Sequence, residues 1–185
     1  TRPEAVKMAP VVFQLKKTPG IETIVCVTAQ HRELLDQVLE VFGIEPDIDL
    51  NLMKANQTLS ESTANILMAL TTVVSEHKPD WILAQGDTTT VMCASLVSYY
   101  HRIHFGHVEA GLRTHNKWEP FPEEINRRIA GVTADLHFAP TEHSRQNLLS
   151  EGIEDWRIAL TGNTVIDALN IIRQQPAPLE ALDII

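Results

Sequence analysis

The fold of this chain is decided by one stretch near its middle, Trp81-Ile82-Leu83-Ala84-Gln85-Gly86-Asp87-Thr88-Thr89-Thr90. The apolar run over residues 81–84 is typical of a buried strand, and a turn signal follows it at once. Residues 89–100 are apolar nearly all round, which indicates a helix packed on several sides. A strand that leads directly into a helix is the first half of a βαβ unit, so the stretch favours an α/β fold.

The same alternation of strand and helix patterns extends along the chain in both directions. Short apolar or β-branched runs predict further strands over residues 22–27, 47–50, 105–108, 136–139 and 158–160. Apolar residues at helical spacing predict helices over residues 5–15, 34–42, 58–74, 122–134, 141–149 and 164–172. Because connections between parallel strands are right-handed, this order predicts a Rossmann-like α/β fold, a parallel sheet with helices on both faces.

The two ends of the chain bear on its domain organisation. Thr1-Arg2-Pro3-Glu4 has a capping-box pattern and opens the first helix, whereas the opening helix of a doubly wound domain normally follows a central strand. We therefore expect a fragment in which residues 1–172 form a Rossmann-like domain whose first strand is absent. Pro176 and Pro178 favour a linker over residues 173–185, leading toward a C-terminal domain that this chain lacks.

Composition limits the classes of partner and compartment. The chain has 185 residues, 44% of them hydrophobic, which is enough to bury a full core. A net charge of −9 argues against nucleic acid or an anionic membrane as the main partner. No apolar run approaches the ~20 residues of a membrane span. Cys26 and Cys93 stand alone in apolar runs, which favours buried thiols of a cytoplasmic protein over a disulfide or a metal pair.

Three acidic segments provide the candidate chemistry. Asp87 and Glu109 each follow a predicted strand, and Glu123 opens a predicted helix. Since ligands of open parallel sheets bind beyond the carboxyl ends of the strands, these carboxylates are candidates for one shared site. Each also has a structural alternative: Asp87 as a helix N-cap, Glu109 as a solvated loop residue, Glu123 as an acid favoured by the helix dipole. The sequence has neither a Gly-x-Gly-x-x-Gly loop nor a Cys/His cluster, so we expect no cofactor and no metal.

Six longer blocks run in order along almost the whole chain: TRPEAVKMAP (1–10), TAQHRELLDQVL (28–39), GDTTT (86–90), HVEAGLRT (107–114), PEEINR (122–127) and GNTVIDAL (162–169). Together they resemble the bacterial non-hydrolysing UDP-N-acetylglucosamine 2-epimerase family. The resemblance implies the glycosyltransferase-B architecture, in which two Rossmann-like domains face a cleft and this chain is the N-terminal one. It also implies a homodimer that interconverts UDP-N-acetylglucosamine and UDP-N-acetylmannosamine, supplying precursors of cell-surface polysaccharides.

The resemblance also implies a reaction and a set of site residues. UDP is eliminated to leave 2-acetamidoglucal, and is then added back to the opposite face. Asp87, Glu109 and Glu123 match the family's catalytic carboxylates, of which the first two also contact substrate. Arg2 and Lys7 match substrate-binding positions. Which carboxylate is acid and which is base stays open, as do two alternatives: a hydrolysing relative, and an inactive sugar-nucleotide-binding module. The fragment alone is expected to be inactive.

Three further polar residues are expected to support the site. Arg113 and Arg127 are predicted to orient carboxylates by ion pairing. Gln30 lies in a region that, in bacterial relatives, is near a second UDP-N-acetylglucosamine that activates the enzyme, so the resemblance makes Gln30 a candidate regulatory contact. Glu33 and Asn56 differ from the residues expected in relatives that use that second site, so allosteric control stays open.

Overall fold

The computed structural model describes residues 2–28, 32–52 and 56–174, in which helices and strands alternate as predicted. The helices are α1 Arg2–Lys17, α2 Arg32–Phe42, α3 Leu59–His77, α4 Thr89–His101, α5 Glu123–Thr133, α6 Glu142–Ser150 and α7 Val165–Arg173. The strands are β1 Cys26–Val27, β2 Ile48–Asp49, β3 Trp81–Gln85, β4 His104–Val108, β5 Leu136–Ala139 and β6 Ile158–Leu160. A 3₁₀ turn, Asp155–Arg157, precedes β6. Most of the predicted linker, from residue 175 on, lies outside the described residues.

The parallel strands form two sheets rather than one. The larger sheet has the order β3-β4-β5-β6, and the smaller pairs β1 with β2. The strand predicted over residues 22–27 was too long, because only Cys26 and Val27 pair as a strand. Just before them, the Asp47 carboxylate accepts the Val25 N–H at 2.7 Å, so a side chain takes the place of a backbone partner and the ladder does not extend.

A cavity of about 1040 Å³ lies between the two sheets. It is lined by residues 20–28 on the β1 side, by Leu83 and Gln85 of β3, and by Met8 and Val12 of α1. Helix α1 packs against α2 and α7 and also contacts β3. The first helix therefore joins the two sheets across the cavity.

The alternation of side chains along β3 places helices on both faces of the larger sheet. Ile82 and Ala84 pack into an apolar cluster with Val91 of α4 and Ala130 of α5. Leu83, between them, lies on the opposite side and lines the cavity beside α1. The predicted α/β architecture with covered sheet faces is confirmed.

Two helix starts are capped by threonine side chains. Thr58 and Glu61 form a reciprocal capping box at α3. The Thr141 side chain accepts the Ser144 N–H at 3.1 Å at the start of α6. The capping box predicted at Thr1 involves a residue outside the described ranges. Within residues 2–28, 32–52 and 56–174, the helices are all too short or too polar to cross a bilayer.

Candidate active site

The candidate site lies where β3 and β4 end. Asp87 follows β3 after one glycine, and Glu109 directly follows β4. Because parallel strands present their carboxyl ends at one edge of the sheet, the two loops are neighbours. Helix α1 reaches the same edge, where Lys7 contacts Glu109 and the Thr88 hydroxyl donates a hydrogen bond to the Glu4 carboxylate. Three separate segments therefore converge on one place.

The Glu109 loop has a strained backbone. Glu109 has a φ of 64°, in the left-handed region that non-glycine residues avoid at a cost of about 1–3 kcal/mol. Gly111 follows with a φ of 88°, and a Cβ there would lie 2.2 Å from the Ser144 carbonyl oxygen. The loop therefore turns sharply and packs directly against α6. A strained acidic residue at the end of a strand is typical of a functional site.

The Glu109 carboxylate is surrounded by donors from three elements. Lys7 Nζ lies 2.8 Å from Oε1 and 2.7 Å from Oε2. Asn163 Nδ2 donates to Oε1 at 2.7 Å, and Gln85 Nε2 donates to Oε2. The side chain is only 11% exposed. Glu109 is therefore a fixed, hydrogen-bonded group, which excludes the solvated alternative.

Asp87 is held by α5 and lies among other carboxylates. Its backbone carbonyl accepts from Asn126 Nδ2 at 3.0 Å, and its Oδ2 lies 3.3 Å from Arg127 Nη1. Burial raises the pKa of Asp87; Arg127 opposes the rise, whereas Glu123, Glu109 and Glu4 add to it. The N-cap of α4 is Thr88, so the capping alternative for Asp87 is wrong.

The turn before Asp87 is fixed by a buried histidine. The Gly86 N–H donates to the Val108 carbonyl at 3.0 Å, and His107 Nε2 lies 2.7 Å from the Gly86 carbonyl. Burial lowers the pKa of His107 to about 4, so the imidazole is neutral near pH 7. Since a carbonyl only accepts, Nε2 carries the hydrogen. His107 thus ties the end of β4 to the Asp87 turn.

Glu123 and Glu124 open α5, and the structure separates their roles. Glu124 is fully buried and accepts from the Thr114 and His115 N–H groups at 3.1 and 3.2 Å, and from Arg127. Burial raises its pKa, but these donors outweigh burial and the pKa lies below its usual value. Glu123 is half-buried and close enough to raise the pKa of Asp87. Glu124 is thus held in a buried network of donors, whereas Glu123 remains outside that network and acts on Asp87 through its charge.

The predicted cationic residues have different surroundings. Arg2 is exposed at the start of α1. Arg127 pairs with both Asp87 and Glu124, as predicted for an orienting arginine. Among the described residues, Arg113 instead pairs with Glu151 at 2.8 Å and not with any of the three candidate carboxylates. Gln30 lies outside the described residues.

Four residues that touch the site were not among the predicted ones. They are Glu4, Gln85, Asn126 and Asn163. A sequence signal existed for three of them, because Glu4, Asn126 and Asn163 fall inside blocks already singled out as family-like. In the part of the chain that the structure describes, His, Cys, Asp and Glu side chains do not gather in threes suited to a metal ion.

Comparison with known proteins identifies relatives that match more than nine tenths of the chain. It is 58% identical over 170 residues to the UDP-N-acetylglucosamine 2-epimerase of Bacillus subtilis, covering 92% of this chain and 45% of that protein. The Escherichia coli K12 enzyme of the same name is 58% identical over 175 residues, covering 95% of this chain and 46% of that protein.

A solved structure gives the same answer. The crystal structure of UDP-GlcNAc 2-epimerase from Neisseria meningitidis bound to UDP-GlcNAc superposes with a TM-score of 0.90 at 55% identity, covering 100% of this chain and 48% of that one. The chain thus spans somewhat less than half the length of these relatives. The model of the family described as UDP-N-acetylglucosamine 2-epimerase matches residues 13–183, and the chain therefore belongs to that family.

Proposed function

We propose that this chain supplies the N-terminal half of a UDP-N-acetylglucosamine 2-epimerase that interconverts UDP-N-acetylglucosamine and UDP-N-acetylmannosamine. The observation that carries the proposal is the convergence of Asp87, Glu109 and Glu123 with Lys7 at one edge of a parallel sheet, in a chain of this family. The reaction eliminates UDP to leave 2-acetamidoglucal and returns UDP to the other face of the sugar. It is redox-neutral and needs no cofactor.

The proton at C2 of the sugar requires a base of raised pKa. A carboxylate of ordinary pKa is a weak base, and burial in a closed site moves its pKa toward the working pH. Asp87 meets this requirement, because burial and three neighbouring carboxylates raise its pKa. We assign the second proton transfer to Glu123, because its charge acts on Asp87 and it takes no part in the ion pair of Glu124 with Arg127.

The departing diphosphate requires donors and positive charge. The first turn of α1 provides free backbone N–H groups and the positive end of a helix dipole. Arg2 is exposed there, and Lys7 lies about one and a half turns further on. We assign both residues to the diphosphate, which develops negative charge as the C1–O bond breaks.

Retention of the glucal requires a second wall. The relatives are about twice as long as the matched region, so we assign the opposite wall of a cleft to their remaining part, as in a glycosyltransferase-B arrangement. Closure of that wall would keep water and the glucal apart until UDP adds back. A hydrolysing enzyme and an inactive sugar-nucleotide-binding module are the other outcomes that an experiment must separate.

The test uses a chimera in which this chain replaces the matching part of the Bacillus subtilis relative. Proton NMR in D₂O follows C2 of UDP-N-acetylglucosamine. Deuterium at C2 together with UDP-N-acetylmannosamine supports the proposal. Release of free N-acetylmannosamine indicates a hydrolase, and unchanged substrate with bound UDP indicates a binding module. Either of the last two results contradicts the proposed epimerase.

We also propose that the protein is a cytoplasmic homodimer that self-associates through α3 and α4. Tyr99 and Tyr100 are 67% and 68% exposed on α4, and Met68 is 69% exposed on α3, which packs against α4. Cys26 and Cys93 are free thiols, as in reducing compartments. Sedimentation velocity of the wild type and of Tyr100→Glu tests the dimer. A wild type that stays monomeric at micromolar concentration contradicts it.

A further inference from the structure

The acceptor capacity of Glu109 is filled by protein donors. An ionised carboxylate has about four lone-pair sites on its two oxygens. Lys7 takes one site on each oxygen, Asn163 a second on Oε1, and Gln85 a second on Oε2. A proton, or a sugar hydroxyl, would have to displace one of these donors. In this arrangement the carboxylate has no free lone-pair site with which to remove the C2 proton.

The donors themselves are fixed in place. Asn163 Oδ1 accepts the Val165 N–H at 3.1 Å at the start of α7, so its Nδ2 is turned toward Glu109. Gln85 is only 4% exposed and is the last residue of β3. The left-handed backbone of Glu109 fixes the direction in which its side chain leaves the loop. Reorientation of the Asn163 amide would break its contact at the start of α7, and burial restricts rotation of the Gln85 side chain.

The consequence of this arrangement falls on Lys7. Two of the three N–H donors of an ammonium are engaged by the Glu109 oxygens. Among the residues that the structure describes, Glu109 is its only recorded hydrogen-bond partner, so the third donor remains for a ligand. The side chain is 23% exposed. Its position, unlike that of a solvated lysine, is set by the carboxylate.

We propose, resting on the epimerase function above, that Glu109 transfers no proton. It is a positioning residue that, with Gln85 and Asn163, holds the Lys7 ammonium against the diphosphate of the sugar nucleotide. Proton transfer at C2 then belongs to Asp87 and Glu123. Of the three acidic residues, Glu109 thus positions Lys7, and Asp87 and Glu123 act on the sugar.

The test separates the two roles with UDP, which has no sugar. In the chimera with the Bacillus subtilis relative, Glu109→Gln should weaken UDP binding by about tenfold or more, in line with the loss of a charge-assisted contact. Calorimetric titration with UDP measures it. A base that touches only the sugar would leave UDP affinity unchanged, so unaltered affinity in Glu109→Gln overturns the proposal.

A double-mutant cycle with Lys7→Met gives the second readout. If Glu109 acts through Lys7, the Lys7→Met/Glu109→Gln variant should have a kcat/KM within about threefold of Lys7→Met alone. If Glu109 transfers a proton, the two losses should multiply, and that result overturns the proposal. The UDP titration needs no turnover. A chimera that binds UDP without epimerising UDP-N-acetylglucosamine would therefore refute the proposed function, and the titration would still test whether Glu109 positions Lys7.

The Asn163→Asp variant tests the contribution of the Asn163 amide to holding Glu109 in place. Aspartate keeps the oxygen that accepts the Val165 N–H, removes the donor to Glu109 and adds a negative charge beside that carboxylate, as Gln146→Glu does beside Glu142. We expect UDP binding to weaken about three- to tenfold in the wild-type background and by less in Lys7→Met. The matched control is Gln146→Glu, since Gln146 makes a similar amide-to-carboxylate bond of 2.7 Å on the exposed face of α6. Equal effects of the two substitutions contradict a role for Asn163.

Discussion

Replacing Gly111 by alanine should destabilise the chain far more than replacing Gly152. The two glycines have almost the same φ, 88° and 87°, so an alanine at either position pays about 1–2 kcal/mol for the left-handed conformation. At Gly152 a Cβ would meet nothing within 4 Å. At Gly111 it would lie 2.2 Å from the Ser144 carbonyl oxygen and 3.1 Å from Leu148 Cδ1.

The difference between the two variants isolates the close approach of the Glu109 loop to α6. The nearest atom at Gly111 belongs to the backbone and cannot rotate away, and overpacking of this kind costs about 1–3 kcal/mol. The expected losses of unfolding free energy are thus about 2–5 kcal/mol for Gly111→Ala and about 1–2 kcal/mol for Gly152→Ala. Equilibrium urea unfolding of the purified chain measures both. Equal losses, with unchanged dependence on urea, would refute the packing of this loop on α6.

The remaining predictions concern catalysis and the core. In the chimera, Asp87→Asn should lower turnover by ~10²-fold or more while UDP affinity changes little, because the lost group acts on the sugar; kcat and UDP titration together check this. Glu4→Gln should move the acidic limb of the pH–rate profile to lower pH, since it removes a carboxylate that raises the pKa of Asp87. Leu148→Ala, at a fully buried position, should cost about 2–5 kcal/mol in urea unfolding, whereas Leu169→Ala, 55% exposed, should stay within about 0.5 kcal/mol. The 185-residue chain by itself should show no turnover where the chimera is active; similar turnover would contradict the need for a second domain.

The order of elements and the meeting of Asp87 with Glu109 could be predicted from sequence. Both follow from local patterns, because an apolar run followed by a turn marks a strand end, and parallel strands end at one edge. The choice between Glu123 and Glu124 could not be predicted from the pattern. The two are adjacent in one helical turn, and only the tertiary packing of α5 on the Thr114 N–H decides which of them is buried.

Contacts between distant segments also could not be predicted from the sequence pattern. Asn163 lies 54 residues after Glu109, and nothing in the local pattern of either segment indicates that they touch. The short β1 has a similar cause, since the Asp47 side chain competes with a backbone ladder that its apolar sequence would favour. Resemblance to a family located the carboxylates, but the partners that distinguish their roles required the structure.

The cavity between the sheets separates two apolar clusters, which we expect to open as different cooperative units. One cluster joins Ala9, Phe42 and Ile44 with Ala168, and another surrounds Phe105 under α4 and α5. Since β1 and β2 pair at two positions, whereas β3 and β4 pair at five, the first unit should open at a lower free energy than the second. Native-state hydrogen exchange would then show two classes of slow amides, with α1, α2 and α7 exchanging before β3 and β4. Lys7 belongs to α1 of the first unit and Glu109 follows β4 of the second, so Lys7 would leave Glu109 whenever the first unit opens, before the whole chain unfolds.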